Sequence, residues 1–577
     1  MICSKNLVSI LAALLTGLAV CPKHATAAPP DKRYIAVANS DADYVGLRND
    51  VIRAGGRVIR EIPAIQMLVA TAPDTFKAVM ASSTHAKAVA ADHIVHLVPP
   101  QLQQEFLNSA QGPRRSVMNL GPGPKPPVTP DPAFSFPGLM WDWYRIGTPA
   151  AWKFTTGDPA VKVGVADTGL DFTHAELQGR VSAVVDLTVT ENPALCTTYF
   201  GASDADWAKT YGGPPTTDWN GHGTWIGGNI AADLDGQGIN GIAPNVKLVA
   251  LKISQWCGYA YDSTILDAFV YAADNGIDIV SISFGGYLDP SDHDQFQIYL
   301  QYIATVAYAL RKGTVIVAAA GNEHLQLGPG GLVLSHGILT TPGDTLTDYF
   351  GWLETPGGVP GVVAVAATGN VVNALSASCP PESGTSVTCK PLSDAHKPSG
   401  VGQMDQLAYY SNYGPRIDIA APGGARKFNL PVWDRGGTPG YPVTIADGTN
   451  AWETFGITSD WALEIPCYTF TGGGFPADQC YSTIQGTSMA TPHVSAGLAL
   501  IASANRFQRH NPWWLLFSLR QATRNAHNTT PGLSATDHTA GDLTGALCGT
   551  GYCHLGGPPI PDNQAYGAGI LDLSKLH

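Results

Sequence analysis

The sequence predicts an α/β fold in which polar residues follow buried parallel strands. Val161–Ala166 is a largely apolar run that ends at Asp167. A second apolar run, Val315–Ala320, leads to Asn322, and an apolar helix opens at Ser488. Near-continuous apolar runs are typical of strands covered on both faces. In such sheets, reacting groups collect at the carboxyl ends of the strands.

The length and composition bound the domain organisation. The 577 residues fit one α/β domain of ~250–300 residues with insertions, preceded by a small N-terminal domain. Only 14% of the residues are charged, and the chain has 64 glycines and 43 prolines, as expected for a loop-rich exported protein. The formal net charge of −13 argues against a nucleic-acid partner.

Residues 1–27 have the pattern of an export signal. Lys5 lies in a short polar start, the apolar run Leu7–Val20 follows, and Ala25–Ala27 offers a small-residue cleavage site. No later stretch reaches about 18 uninterrupted apolar residues. The sequence therefore predicts a secreted or periplasmic protein without a membrane span. A lipid anchor through Cys21 is the alternative, although the preceding valine is bulky for lipoprotein processing.

Residues 28–99 predict a small α+β unit. The expected elements are a strand at Arg33–Ala38, a helix at Asp41–Ala54, strands at Gly56–Ile62 and Gln66–Ala72, a helix at Pro73–Ser83 and a strand at Ile94–Val98. This β-α-β-β-α-β order is that of a ferredoxin-like domain. Residues 100–139, with Gly112–Arg115 and many prolines, predict a linker where processing could occur, and 140–577 form the large domain.

The cysteines indicate an oxidising location. Ten are present, and eight remain once Cys3 and Cys21 leave with the leader. Three pairs are close in sequence and are expected to close local loops, which leaves Cys196 with Cys257 by elimination. The local pairs are Cys379/Cys389, Cys467/Cys480 and Cys548/Cys553. Half a zinc site at Cys548, Cys553 and His554 is the alternative, but no second half is found.

Three motifs carry candidate chemistry. Ser488 lies on a glycine-tight turn in Gln485–His493, at a helix N-terminus whose free N–H groups suit a developing oxyanion. His222 lies between two glycines, and Asp167 ends a buried strand. A carboxylate, an imidazole and a hydroxyl are the parts of an acyl-transfer site. His174 and His493 lack the glycine neighbours and are expected to be structural.

The order Asp167, His222, Ser488 resembles that of the subtilisin-like serine peptidases, peptidase family S8. The resemblance covers roughly residues 140–577 and implies a doubly wound, mostly parallel sheet flanked by helices. It implies that Ser488 attacks the scissile carbonyl, His222 accepts the proton and Asp167 orients the imidazole. It also implies that Asn322 completes the oxyanion hole with the backbone N–H of Ser488.

The resemblance further implies a substrate site with two pocket walls and an edge that pairs with an extended peptide. The expected residues are Gly258 and Tyr259 at the edge, Ser283, Phe284, Gly285 and Gly286 in one wall, and Ala319, Ala320 and Gly321 in the other. The floor is not assigned, because 324–360 differs from the family pattern in length and composition. Insertions near 371–406 and 423–483 also leave the fine specificity open.

The resemblance implies partners and a metal as well. Residues 28–99 resemble the subtilisin propeptide, which assists folding and then inhibits through its C-terminal tail. Protein or peptide substrates, a monomer and no organic cofactor are expected. A structural Ca²⁺ is implied at Glu176, Asp233, Asp235, Gln237 and Ile239, since carboxylates and carbonyls suit a hard cation. A plain acidic turn at 233–238 is the alternative.

Three other functions compete with a broad endopeptidase. A catalytically silent binding protein on this fold would normally lack a triad residue, and all three are present. Acid peptidases of the sedolisin type carry glutamate where this chain has His222. A dedicated processing enzyme of narrow specificity stays open, and cleavage of a random peptide library would separate it from a broad enzyme.

Overall fold

The computed structural model describes residues 31–97, 140–191, 195–197, 201–214, 216–336, 347–369, 405–408, 410–424, 457–463, 479–530, 532 and 558–576, and the strand backbones at 115–119, 338–339 and 467–471. The expected leader and the pairs Cys379/Cys389 and Cys548/Cys553 lie outside these residues. None of the described helices combines the length and the apolar character needed to cross a membrane.

The elements are numbered along the chain. The N-terminal unit, residues 31–97, contains β1 (Lys32–Ala38), α1 (Tyr44–Arg53), β2 (Arg57–Ile62), β3 (Met67–Ala72), α2 (Phe76–Met80), β4 (Ala86–Ala91) and β5 (Ile94–His96). Then come β6 (Arg115–Asn119), α3 (Trp141–Arg145), α4 (Thr148–Ala151), β7 (Lys162–Asp167), β8 (Val181–Asp186), α5 (Asp204–Tyr211), α6 (His222–Ala231), β9 (Lys247–Lys252), β10 (Tyr259–Tyr261), α7 (Asp262–Asp274), β11 (Ile279–Ile282), β12 (Gly286–Leu288), α8 (His293–Lys312) and β13 (Val315–Ala319). The last are β14 (Ile338–Leu339), β15 (Thr347–Asp348), β16 (Leu353–Thr355), β17 (Val363–Thr368), β18 (Ile419–Pro422), β19 (Ile457–Asp460), β20 (Cys467–Thr471), β21 (Tyr481–Ile484), α9 (Thr487–Ala504), α10 (Pro512–Gln521), β22 (Thr523–Arg524), α11 (Asp562–Tyr566) and β23 (Ile570–Leu571).

The N-terminal unit is an antiparallel sheet in the order β2-β3-β1-β4. The side chains of β1 point alternately to the two faces of this sheet. Tyr34 and Ala36 pack with residues of α1 and α2, whereas Ile35 and Val37 join a core shared with the large domain. A period of two is what a strand buried on both faces by different partners requires. The unit therefore uses one face for its own core and the other for docking.

The strand predicted at the end of this unit exists in part, but its predicted place in the sheet was wrong. Ile94–Val98 was expected to close the sheet, but the fourth strand is β4, which pairs with β1. Strand β5 instead pairs with β10 of the large domain. Alanine-rich β4 has only one of the β-branched side chains that signal a strand, Val89. The buried side chains Ala88 and Ala90 lie in the core that docks on the large domain.

The large domain is built on a nine-stranded sheet in the order β22-β23-β18-β17-β13-β11-β7-β9-β8. Its neighbouring strands are parallel, apart from the pair of β22 and β23. In β13, Val315 and Val317 join one core with α6 and α9, and Ile316 and Ala318 join the other with α7 and α8. The predicted doubly wound sheet flanked by helices is confirmed.

One expected disulfide is present among the described side chains. Cys196 and Cys257 are bonded across 61 positions of sequence, as elimination suggested. Cys480 is also disulfide-bonded. Its pairing with Cys467 stays a prediction, because the side chain of Cys467 is not among those described.

Candidate active site

Asp167 and His222 meet at the carboxyl end of strand β7. His222 Nδ1 lies 2.8 Å from Asp167 Oδ1, and both side chains are almost fully buried. A carboxylate only accepts hydrogen bonds, so Nδ1 carries the proton and Nε2 presents a lone pair. Nε2 is buried without a hydrogen-bond partner. The imidazole is therefore fixed at one nitrogen and available at the other.

A buried network holds this pair. The Thr168 hydroxyl donates to Asp218 at 2.8 Å and accepts the N–H of Gly223 at 3.0 Å. Asp218 also accepts the backbone N–H of Gly221 at 2.8 Å. A Cβ on Gly223 would lie 2.0 Å from the carbonyl oxygen of Gly169, so only glycine lets α6 approach the end of β7. The sequence motifs indicated the glycines but not Thr168 or Asp218.

A buried cation lies behind the network. Lys252, at the end of β9, is 2.8 Å from Asp204 of α5 and donates to the carbonyl oxygen of Thr168. Burial lowers the pKa of Lys252, but the carboxylates of Asp204, Asp218 and Asp186 together outweigh burial and leave the pKa raised. The lysine therefore stays charged and ties the segment containing α5 to the turn that follows Asp167.

Ser488 is the second residue of α9, and α6 packs against this helix. The side chain is 4% exposed, and its hydroxyl is 3.4 Å from the carbonyl oxygen of Ser283. The Ser283 hydroxyl donates back to the Ser488 carbonyl at 3.1 Å. The start of α9 is thereby attached to the segment that follows β11, which was expected to form a pocket wall.

Asn322 lies beside Ser488 in a fixed orientation. Its Oδ1 accepts both the backbone N–H and the hydroxyl of Thr487, each at 2.8 Å. With Oδ1 held in this way, Nδ2 is directed towards Gly486, where a Cβ would lie 3.7 Å from it. The amide therefore presents a donor beside the N-terminus of α9. Thr487, the residue that orients it, was not singled out from the sequence.

The expected substrate edge is occupied by the N-terminal unit. β5 pairs antiparallel with β10, with His96 opposite Tyr259 and Val95 opposite Ala260. The Leu97 N–H donates to the carbonyl oxygen of Gly258 at 2.8 Å. An extended segment thus adds a strand to Gly258 and Tyr259, the edge predicted for a peptide.

Polar groups anchor this tail. Arg33 forms a 2.6 Å ion pair with Asp92 and lies 4.5 Å from the ring centroid of Tyr261. Asp92 accepts the Ser263 hydroxyl at 2.5 Å. His93 Nδ1 is 3.3 Å from Asp262. These contacts join the N-terminal unit to the first turn of α7.

The two expected pocket walls follow neighbouring parallel strands. One wall, Ser283, Phe284, Gly285 and Gly286, comes after β11. In the other wall Ala319 ends β13, and Ala320 and Gly321 follow it. Ser283 and Phe284 are buried. A Cβ on Gly286 would lie 3.1 Å from Val95 Cγ1 of the docked tail. The walls therefore adjoin both Ser488 and the peptide-like strand β5.

A buried carboxylate lies between these walls, in the segment that sequence comparison left unassigned. Glu354 of β16 is 1% exposed, and neither carboxylate oxygen has a hydrogen-bond partner. A Cβ on Gly285 would lie 3.2 Å from its Oε1, and one on Gly357 would lie 3.0 Å from its Oε2 and 2.6 Å from the carbonyl oxygen of Ala319. No motif marks Glu354, because only the fold reveals its burial.

The expected calcium ligands come together only in part. Glu176 is buried, and a Cβ on Gly238 would lie 1.8 Å from its Oε1 and 2.6 Å from the hydroxyl of Tyr481. Asp235 accepts the N–H of Gln237 at 2.9 Å, and Asp233 is 3.4 Å from a guanidinium nitrogen of Arg180. Ile239 packs in the core. Within the described ranges, no three Asp, Glu, His or Cys side chains gather as a metal centre.

The two other candidate histidines have structural partners. His493 is buried and bonds the Met489 carbonyl oxygen at 2.7 Å and Asp142 at 2.9 Å. The ring of His174 bonds the Cys480 carbonyl oxygen at 3.0 Å. Neither contact involves Ser488, so His222 is the candidate base.

The sequence is similar to known proteins over most of its length. A sequence model of the subtilase family, peptidase family S8, matches residues 158–542. A thermophilic serine proteinase of Bacillus sp. strain AK1 is 27% identical over 379 residues, which span 66% of this chain and 61% of that protein. Thermitase of Thermoactinomyces vulgaris is 25% identical over 377 residues, which span 65% of this chain and 86% of that protein.

The structure is also similar to solved structures. The epidermin leader peptide processing serine protease (EpiP) from Staphylococcus aureus aligns with a TM-score of 0.57 and 19% sequence identity. The alignment covers 95% of this chain and 98% of that chain. At this identity the similarity shows the fold alone.

Proposed function

The chain belongs to the subtilase family of serine peptidases, and on that premise we propose that it is an exported endopeptidase that uses Asp167, His222 and Ser488. The family relation makes it a serine-type endopeptidase that acts on protein or peptide substrates. The observation that carries the assignment of residues is the 2.8 Å contact of His222 with Asp167, which leaves a buried Nε2 without a partner.

The first chemical step needs a change in one hydrogen bond. We propose that rotation about the Cα–Cβ bond of Ser488 takes its hydroxyl from the Ser283 carbonyl to His222 Nε2. His222 then takes the proton as the oxygen attacks the scissile carbonyl, and later returns it to the leaving amine. Asp167 stabilises the imidazolium formed in between.

Negative charge on the attacked oxygen needs donors placed in advance. We assign this role to Asn322 Nδ2 and the backbone N–H of Ser488. Thr487 supports the assignment, because its two hydrogen bonds to Asn322 Oδ1 fix the amide before substrate arrives. Fixed donors avoid the reorganisation cost that water would impose.

The N-terminal unit is proposed to be an inhibitory propeptide, with residues 1–27 as leader, 28–99 as propeptide, 100–139 as linker and 140–577 as catalytic domain. The pairing of β5 with β10 supports this role, since it places a peptide strand on the substrate edge. We also propose a structural Ca²⁺ held by Glu176 and the loop 233–239, which would rigidify that loop.

Self-processing tests the assignment. In a host without other exported proteases, wild type should accumulate as a shorter chain that begins in the linker. Ser488→Ala should fold and keep its N-terminal unit, because only a hydroxyl is lost. Mass spectrometry of both proteins gives the result. A Ser488→Ala protein cut at the wild-type position would show that another enzyme makes the cut.

A further inference from the structure

Glu354 is the acidic residue of the expected pocket whose carboxylate oxygens form no hydrogen bond with the described residues. It belongs to β16, which pairs with β12 so that Tyr287 lies opposite Glu354. The carboxylate lies beside Gly285 and Gly357, which have no side chains to cover it. It therefore faces the space between the two walls that adjoin Ser488.

The neighbouring acid, Glu323, differs in having its partners within the protein. Its Oε2 accepts the N–H of Asn322 at 2.8 Å and the hydroxyl of Tyr287. Asn412 donates to the same Tyr287 hydroxyl at 2.8 Å. Glu323 therefore supports the wall next to Asn322, and it leaves Glu354 as the acid without a partner.

The nearby cation does not satisfy Glu354. Arg416 donates to the carbonyl oxygens of Gly358, Val359 and Val362 and to Asp418. Burial raises the pKa of Glu354 well above its usual value. The charge of Arg416 opposes this, as do the backbone N–H groups of Gly358 and Gly357, which lie near the carboxylate without forming hydrogen bonds to it, and Glu323 adds to it. A buried carboxylate without a partner is costly, and a bound cation would remove that cost.

The docked tail supplies no such cation. Leu97 bonds the carbonyl oxygen of Gly258, and the next residue in sequence is Val98, which is apolar. The linker, in contrast, carries Arg114 and Arg115. The docked tail is thus suited to cover the substrate edge, whereas the linker carries positive charges that could pair with Glu354.

We propose that Glu354 forms the base of the primary specificity pocket and selects lysine or arginine on the acyl side of the cleaved bond. This deepens the proposed function and rests on it. An ammonium or guanidinium reaching between Gly285 and Gly357 would meet both carboxylate oxygens. A guanidinium can bind them as a planar pair of hydrogen bonds. The enzyme would then have the narrow specificity of a processing protease.

Peptides that differ at one side chain test this. The set carries arginine, citrulline, lysine, phenylalanine or leucine before the scissile bond, and citrulline keeps the shape of arginine without its charge. For wild type, kcat/KM should be roughly 30-fold or more higher for arginine than for citrulline, the loss typical of a buried charge left unpaired. In Glu354→Gln the arginine-to-citrulline ratio of kcat/KM should fall towards one. Asp274→Asn, on the surface of α7, is the control and should have the same ratio as wild type.

Active-site titration with a serine-directed reagent counts competent enzyme in every sample. A titratable wild type that cuts phenylalanine or leucine peptides best, or that does not distinguish arginine from citrulline, would overturn the role of Glu354 and leave the peptidase intact. A protein that neither titrates nor cuts any peptide would instead overturn the proposed function. If Glu354→Gln does not fold, the arginine-to-citrulline ratio of wild type decides alone.

Discussion

At the scale of single residues, orientation matters as much as identity. The proposed role of Asn322 requires its nitrogen to point at the oxyanion, and Thr487 favours this orientation by donating two hydrogen bonds to Oδ1. The proposed role of His222 requires an unprotonated Nε2, and Asp167 favours this by holding Nδ1. In both residues, a hydrogen bond to one polar atom leaves the other, Nδ2 of Asn322 or Nε2 of His222, available for the reaction.

Removal of the Asn322 amide tests its role. Asn322→Ala should lower kcat by roughly 10²–10³-fold and change KM little, because the donor acts mainly on the charged intermediate. Steady-state kinetics on a peptide substrate give both constants. Asn245→Ala, at an exposed position, is the control and should match wild type. A kcat for Asn322→Ala within threefold of wild type would remove Asn322 from the oxyanion hole.

The three catalytic candidates could be selected from the sequence because short motifs surround them. Asp167, His222 and Ser488 each lie within two residues of a glycine in short motifs, so neighbouring positions mark them as catalytic candidates. Glu354 has no such signal. Its burial depends on contacts with Gly285, 69 positions away, and on a segment that does not follow the family pattern, so it became visible only in the fold.

At the scale of elements, the tail of the N-terminal unit combines a strand with charged anchors. β5 supplies backbone pairing to β10, and His93 and Asp92 add contacts to α7. Because these anchors titrate, docking should depend on pH. Burial lowers the pKa of His93, but Asp262, Asp92 and Asp292 outweigh burial, so the pKa of docked His93 lies above its ordinary value of 6.5.

Docking of the N-terminal unit should weaken as the pH rises. A histidine pKa raised by docking favours the complex below pH 6.5, and this contribution is lost as the pH rises through the raised value. Ser488→Ala protein with its linker cut by an added protease should therefore release the unit more readily at pH 9 than at pH 5.5. Size-exclusion chromatography measures the retained fraction.

His93→Gln provides the control for this prediction. It keeps a polar side chain but cannot gain a proton, so retention should vary less with pH than in the parent protein. Equal pH dependence in the two proteins would assign the effect to other groups.

Sequence periodicity predicted most elements but not their partners. The helix expected at Asp41–Ala54 is found as α1, and β1 to β3 lie close to the expected ranges. The strand expected at Ile94–Val98 exists in part but joins a different sheet, because its hydrogen bonds go to β10. Pairing across long sequence separations depends on docking of the two units, which no local pattern encodes.

At the scale of the whole molecule, the parallel sheet gathers the proposed catalytic groups at one edge, where the carboxyl ends of its strands lie. Asp167 ends β7, and Ser283 and Asn322 follow the next two strands of the sheet, β11 and β13. Helices α6 and α9 bring His222 and Ser488 to the same edge. The loop after α6 lies beside Glu176, outside this edge. A cation there would therefore act on stability and not on the chemical step.

Chelation tests the calcium proposal. A cation that binds only the folded state stabilises it by about 2.7 kcal/mol at 100 times its Kd, so EDTA should lower the Tm of the Ser488→Ala protein, in which autolysis cannot interfere. Glu176→Gln should melt at the same temperature with and without EDTA. Identical melting curves for the parent protein in calcium and in EDTA would remove the site.

The most direct test is to label the nucleophile. A serine-directed phosphonylating reagent should modify Ser488 and no other serine, and residual peptidase activity should fall in proportion to the labelled fraction. Peptide mapping by mass spectrometry locates the label, and His222→Ala should react far more slowly because the hydroxyl loses its base. Full peptidase activity in protein whose Ser488 is completely labelled would contradict the proposed mechanism.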